Sequence, residues 1–228
     1  MAVELSFVGH ATWLLKTGNH TILIDPFFTD NPQAGINSAE VTADVIVVSH
    51  GHFDHIADCV EIARNNNAPV IANFEIAQWL EKQGVEQTVG MNIGGTLQQA
   101  FGSVKLTHAI HSSQLPDGSY GGNPAGLYFV VDGFRIYFAC DTELFSDMKY
   151  VGDQGVDAAV FPIGDLFTMG PDTSIQATNL VQPKYVLPAH FNTWPPIEQD
   201  AQQWAEQIRQ NTSAEPIVLE PGGSHTFG

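Results

Sequence analysis

Apolar residues along the chain fall into short runs separated by turn residues. Residues 3–8 and 12–16 alternate or run apolar around Gly9-His10, and residues 21–25 follow the turn Gly18-Asn19. This patterning predicts three consecutive antiparallel strands. Val45-Ile46-Val47-Val48 is short and β-branched, which predicts a buried strand over residues 45–49. Ile56, Ala57, Val60, Ile62 and Ala63 then recur at roughly helical spacing and predict a helix over 56–65. Downstream, 69–72 reads as a strand and 74–83 as a helix stopped by Gly84, with strands over 88–91, 96–100 and 104–109. Residues 112–124 are rich in Gly, Ser, Asn and Pro and predict a long loop of the kind that often carries function. Residues 125–131 and 134–140 pair across Asp132-Gly133, a hairpin signal. The rest predicts a short helix over 143–150, a strand over 158–163 and a helix over 172–180. A strand over 185–187, a helix over 196–210 and a last strand over 216–219 follow. Two packed sheets with helices outside fit this order, although pattern alone does not choose them over other α/β layouts. No internal repeat is visible, and no linker divides residues 1–228, so one domain is expected.

Charge changes the picture more than size does. Eight Lys+Arg stand against 25 Asp+Glu, a formal net charge of −17. Such a surface repels phosphate backbones and argues against nucleic acid as substrate. Two cysteines, Cys59 and Cys140, make no disulfide framework and read as small buried hydrophobes. No apolar run is long enough to span a bilayer, and the N-terminus lacks the pattern of a leader. The expectation is a cytoplasmic protein with no membrane partner, acting on a small molecule; a homo-oligomer is compatible with the sequence.

The candidate chemistry lies between the strand over 45–49 and the helix after it. There the chain reads His50-Gly51-His52-Phe53-Asp54-His55. In extended chain His50 and His52 point to one side, while Asp54 and His55 turn away at the helix entrance. Gly51 is read as giving the backbone freedom to turn and a metal room to approach. Imidazole and carboxylate are ligands of zinc and neighbouring metals. Four from so short a turn suit two adjacent ions better than one. Further ligands are expected at strand ends, where His111, Asp141 and His190 stand. His108 competes with His111, but three positions apart on a strand they face opposite ways. His20 and His225 read as loop residues without a role.

The motif resembles the His-x-His-x-Asp-His signature of the metallo-β-lactamase superfamily. Gly9-His10-Ala11-Thr12, Ile24-Asp25-Pro26, Ala109–Ser113, the stretch 162–171 and Pro188–Thr193 also resemble one branch of it. That branch comprises metal-dependent hydrolases related to the ascorbate-6-phosphate lactonases. The resemblance implies an αβ/βα four-layer sandwich, two mixed β-sheets flanked by helices, with metals at one edge between the sheets. It implies a first ion on His50, His52 and His111, and a second on Asp54, His55 and His190, with Asp141 bridging. It places Asp25 behind a ligand, although an Asx turn before Pro26 explains that residue equally well. His10 is expected near the ions, against substrate or hydroxide, and Asp165 and Thr168 in the pocket wall. Phe53, Phe167 and Trp194 are candidates for apolar pocket positions.

The implied activity is hydrolysis of a small ester, lactone or phosphoester. A hydroxide held between two ions about 3.5–4 Å apart would attack, with Asp54, Asp141 and His10 as catalytic groups. Two divalent ions are expected, zinc by default, with manganese or iron also suited to His/Asp ligation. The alternatives are an iron-dependent oxidoreductase on the same fold and a non-catalytic metal-binding regulatory protein.

Overall fold

The computed structural model describes residues 2–228. The strands of one sheet are β1 (Val3–Gly9), β2 (Thr12–Thr17), β3 (His20–Ile24), β4 (Val45–Val47), β5 (Val70–Asn73) and β6 (Thr88–Met91). The second sheet contains β7 (Thr96–Gln99), β8 (Gly102–His108), β9 (Ala125–Val131), β10 (Phe134–Phe138), β11 (Ala158–Pro162), β12 (Tyr185–Ala189) and β13 (Glu215–Pro216). A final strand, β14 (Ser224–Phe227), returns to the first sheet and pairs antiparallel with β1. The helices are α1 (Phe53–Ile56), α2 (Cys59–Asn66), α3 (Phe74–Lys82), α4 (Met148–Gly152), α5 (Pro171–Val181) and α6 (Ala201–Asn211).

Alternate side chains explain how the layers hold together. In β4 and the residue after it, Val45 and Val47 enter a core shared by both sheets. Ile46 and Val48 point the other way, into a second core with Ile62, Ile76 and Leu80 of α2 and α3. The unbroken apolar run is therefore a strand buried on both faces. Each such side chain contributes roughly 1.5–3 kcal/mol on burial. In the shared core Leu5, Trp13 and Leu15 meet Leu106, Leu127 and Phe138. Trp204 of α6 joins the same core, and its Nε1–H donates to Ser174 Oγ of α5 at 2.8 Å.

The two sheets repeat one topology, which the sequence does not display. β14, β1, β2 and β3 are antiparallel neighbours, and β3 to β6 are parallel. β7 to β10 are antiparallel, and β10 to β13 are parallel. Such pairing needs only the right apolar period and turns, which unrelated side chains can supply. Because β1 and β3 both oppose β2, they run the same way, and β4 runs with β3. By the same logic β8, β10 and β12 share a direction. The carboxyl ends of these six strands meet along one rim. There His190 N–H donates to His10 O at 2.7 Å, and Ala125 N–H donates to Ser49 O at 3.1 Å, joining the sheets.

Several element boundaries differ from the sequence expectation. The helix expected over 56–65 begins three residues earlier, at Phe53, and is broken at Ala57–Asp58 into α1 and α2. The helix expected over 143–150 shrinks to Met148–Gly152. Over 196–210, a 3-10 turn at Pro195–Ile197 precedes α6, which starts only at Ala201. Asp200 sets that start, because its side chain accepts from the N–H groups of Gln202 and Gln203. The strand expected over 216–219 is reduced to Glu215–Pro216, and β14 was not foreseen; His225, expected in a loop, lies in it. His20, likewise expected in a loop, opens β3. Among the described residues no helix is long and apolar enough to cross a membrane.

Candidate metal centre

The strand-to-helix turn after β4 delivers the motif to the rim. His52 keeps extended backbone as the N-cap of α1, so His50 and His52 do face one way. Their ring nitrogens, His50 Nε2 and His52 Nδ1, are 2.9 Å apart. His111, just beyond β8, brings its Nε2 to 3.3 Å from the same His52 nitrogen. Tetrahedral zinc with its usual bond lengths separates neighbouring ligand nitrogens by about 3.3 Å. The three imidazoles are thus spaced as one ion would space them.

A second group forms from Asp54 and His55 in the first turn of α1, His190 after β12 and His10 after β1. Asp141, following β10, joins the two groups. Its Oδ2 is 4.0 Å from His50 Nε2 and 3.5 Å from His111 Nε2 on one side. On the other it is 3.4 Å from His55 Nε2 and 3.1 Å from His190 Nε2. His55 Nε2 and Asp141 Oδ1 are buried without hydrogen-bond partners. Buried polar atoms are rarely left so. Unpaired ligand-type atoms beside converging carboxylates fit a cation, so the donor set suits bound metal.

Behind this group one carboxylate fixes two imidazoles. Asp25 is buried and accepts from Ser49 N–H at 2.7 Å and Ser49 O–H at 2.6 Å. His55 Nδ1–H donates to the same carboxylate at 2.8 Å, which turns Nε2 toward Asp141. His50 Nδ1–H donates to Ser49 Oγ at 3.0 Å, which turns its Nε2 toward His52. Orienting partners of this kind set tautomer and basicity. The Asx-turn alternative does not describe what the Asp25 side chain does.

Charge follows from the packing. Burial lowers His50 well below the ordinary imidazole range, and His55 adds to the effect, so His50 keeps a free lone pair. Burial would lower His55 too, but Asp141, Asp25 and Asp54 outweigh it and raise His55 well above that range. Burial pushes His10 down to about 4, aided by His190 and only partly opposed by Asp54. Burial favours the neutral form of Asp54, yet His55 and the hydrogen bond from His10 hold it ionised. Asp141 stays ionised against burial because of His190 and His55.

Other expected positions divide. His108 is exposed at the end of β8 and packs edge-on against Phe145, away from the cluster. Phe53, Phe167 and Trp194 line a cavity of about 500 Å³ over Asp54, Asp141 and His190. Asp165 and Thr168 do not line it. They close the tight turn that carries Phe167, with Thr168 N–H donating to Asp165 O at 2.7 Å. His10, expected against substrate or hydroxide, does not line the cavity. It is 0% exposed, and Asp54 stands between it and the cavity. Gly51 is not among the glycines with positive φ. A Cβ there would come within 3.1 Å of Leu115, so the glycine lets the loop after His111 close down. The sequence reading missed Ser49, Gln33 and Thr193, whose partners are distant in the chain.

Two mixed sheets flanked by helices, with a His/Asp cluster where their strand ends meet, define a protein of metallo-β-lactamase fold. Residues 4–190 match the family described as Beta-lactamase superfamily domain. A UPF0173 metal-dependent hydrolase of Thermus thermophilus is 46% identical over 220 residues, covering 96% of this chain and 97% of its own. A UPF0173 metal-dependent hydrolase of Geobacillus thermodenitrificans is 47% identical over 227 residues, covering 97% and 99%. Among solved structures, Igni18, a novel metallo hydrolase from the hyperthermophilic archaeon Ignicoccus hospitalis, superposes with a TM-score of 0.91. It is 33% identical, with 100% of this chain and 99% of that one covered. The chain belongs to the β-lactamase superfamily, and within it to the UPF0173 family.

Proposed function

We propose that the protein is a hydrolase that holds two divalent ions, zinc by preference, and cleaves a small ester, lactone or phosphoester. The observation that carries this reading is Asp141 Oδ2, which lies within 4.0 Å of ring nitrogens from both histidine groups. His50, His52 and His111 would hold one ion, and Asp54, His55 and His190 the other, with Asp141 shared. The UPF0173 relatives and Igni18 are named as metal-dependent or metallo hydrolases, which supports the same reading. When bound, such ions supply Lewis acidity toward a substrate oxygen and activate a water at neutral pH.

The chain's own residues set the conditions for that chemistry. Asp54 and Asp141 are ionised acceptors at the cavity floor, placed to orient an attacking water. Asp25 and Ser49 hold His55 and His50 so that their Nε2 atoms face inward. His10 keeps a proton on Nε2 and donates it as a hydrogen bond to Asp54, so it positions Asp54 and does not touch substrate. Phe53, Phe167 and Trp194 screen the floor from bulk water.

The test combines metal analysis with a panel of a lactone, a carboxylic ester and a small phosphodiester. About two ions per chain, and turnover that chelator removes and metal restores, support the proposal. Full metal loading without turnover on any panel member, or oxygen consumption in its place, would count against it.

A further inference from the structure

The cavity above the cluster is two-sided in its chemistry. Its floor is His52, Asp54, His111, Asp141 and His190, while Phe53, Phe167, Trp194 and Pro196 form the wall. Phe53 is 57% exposed and Phe167 56%, and Leu166 beside it is 66% exposed. Single exposed apolar residues are ordinary, but aromatic groups converging on one polar floor are the usual makeup of a small-molecule pocket. Phe53 meets Phe27 edge-on with ring centroids 5.9 Å apart and lies tilted against Trp194 at 6.0 Å, so this side of the wall is braced. Phe167 comes from a different segment, the loop between β11 and α5.

Positive charge is missing from the same place. None of the eight Lys and Arg residues of the chain lines the cavity. A substrate carrying a phosphate or carboxylate away from its reacting group would have to bury that charge against aromatic rings, without a partner. An unpaired buried charge is far more costly than an unpaired dipole. An apolar arm placed there instead gains about fourfold in affinity for each methylene fully removed from water.

We propose that the substrate is an uncharged carboxylic ester or lactone bearing an apolar arm, which lies along Phe53, Phe167 and Trp194. The proposal rests on the hydrolase reading for its reaction but not for its binding test. In the reaction the oxygen of water bonds to the acyl carbon and the acyl–oxygen bond breaks. The leaving alkoxide takes one proton, and the carboxylic acid releases the other, giving alcohol, carboxylate and one proton.

The experiment uses the metal-loaded protein and has two arms. In the first, kcat/KM is measured on p-nitrophenyl acetate, butyrate and hexanoate. We expect a rise of at least tenfold from acetate to hexanoate, and a flattened series in Phe167→Ala. Tyr150→Ala, an exposed aromatic on α4, serves as the control and keeps the slope. In the second, calorimetry compares acetohydroxamate, octanohydroxamate and 6-phosphonohexanohydroxamate, whose metal-seeking heads are identical. Octanohydroxamate should bind at least tenfold more tightly than either of the others. Turnover of the phosphodiester alone would overturn the ester assignment. If neither the esters nor the lactone and phosphodiester are turned over while octanohydroxamate binds in this way, the hydrolase reading fails and the apolar-arm binding site stands. Equal affinities, or tighter binding of the phosphonate, would overturn it. So would a Phe167→Ala variant that changes only the oligomeric state and leaves the chain-length series intact.

Discussion

His10 Nε2 lies 3.0 Å from Asp54 Oδ2, and the bond has a determinable direction. Gln33 Oε1 accepts from His10 N–H at 2.6 Å, while the one Thr193 O–H proton goes to the nearer His10 Nδ1 and not to Gln33 Oε1 at 3.2 Å. The His10 ring meets Thr193 Oγ1 at 2.7 Å through Nδ1. With burial keeping the imidazole neutral, its one ring proton belongs on Nε2, where the ionised Asp54 can accept it. Both groups are then satisfied, and the second Asp54 oxygen stays free.

Replacing His10 by Ala should therefore loosen the ion proposed for Asp54, His55 and His190 more than the one proposed for His50, His52 and His111. Groups that orient a ligand without binding the ion typically change metal affinity by 10–100-fold. A stepwise metal titration checks this: the weaker step should move by at least tenfold while the tighter one holds. Equal weakening of both steps would show that His10 supports the fold and not Asp54.

Asp25→Asn keeps the shape of the side chain and removes its charge. His55 Nδ1–H and Ser49 O–H would then face a weaker acceptor, and His55 would lose one of the three carboxylates that raise it. Because Asp25 serves His55 directly and His50 through Ser49, both metal steps should weaken, again by roughly 10–100-fold. A titration in which only one step responds would break the link through Ser49.

His111→Ala should lose metal and activity, while His108→Ala should retain both. The reason is location: His111 Nε2 is 3.5 Å from Asp141, whereas His108 packs on Phe145 outside the cluster. Metal content by elemental analysis of both variants decides it, and the reverse pattern would move the first ion elsewhere.

The metal-free protein should lose stability steadily as pH falls from about 6.5 to 4. An unfolded chain protonates His10 near the ordinary value of 6.5, whereas the native chain resists until about 4. Between these values the unfolded state binds more protons, so acid favours it, by up to about 1.4 kcal/mol per pH unit for one such site. His50, lowered in the same direction, adds to the effect. His55, raised, stays protonated in the native chain throughout this window, and the unfolded chain reaches the same state just below 6.5, so His55 opposes the trend only at the upper end. Chemical denaturation with chelator present, at several pH values, measures the trend; a flat profile from 6.5 to 4 would refute it.

The strand-rich halves and the motif were legible because both are local. An apolar run such as Val45–Val47 announces a strand, and four ligand-type residues within six positions announce a metal-binding turn. His111, Asp141 and His190 were readable as strand-end residues once the superfamily resemblance supplied their order. The partners of the supporting residues were not legible, because they come from distant segments. His10 is shaped by Thr193, 183 positions away, and Asp25 by Ser49 and His55, 24 and 30 positions on. β14 is a strand because β1 offers it an open edge, not because its own four residues have a strong pattern. The boundary of α1 was misplaced because its first turn is made of the polar motif itself, where apolar spacing gives no signal.

Asp141 is the residue on which the proposed shared two-ion centre depends. The most direct measurement is the metal content of Asp141→Ala beside the unaltered protein, with folding checked by circular dichroism. The account predicts about two ions per chain in the unaltered protein and at most one in the folded variant, with hydrolysis lost. Two fully bound ions in the variant would contradict it.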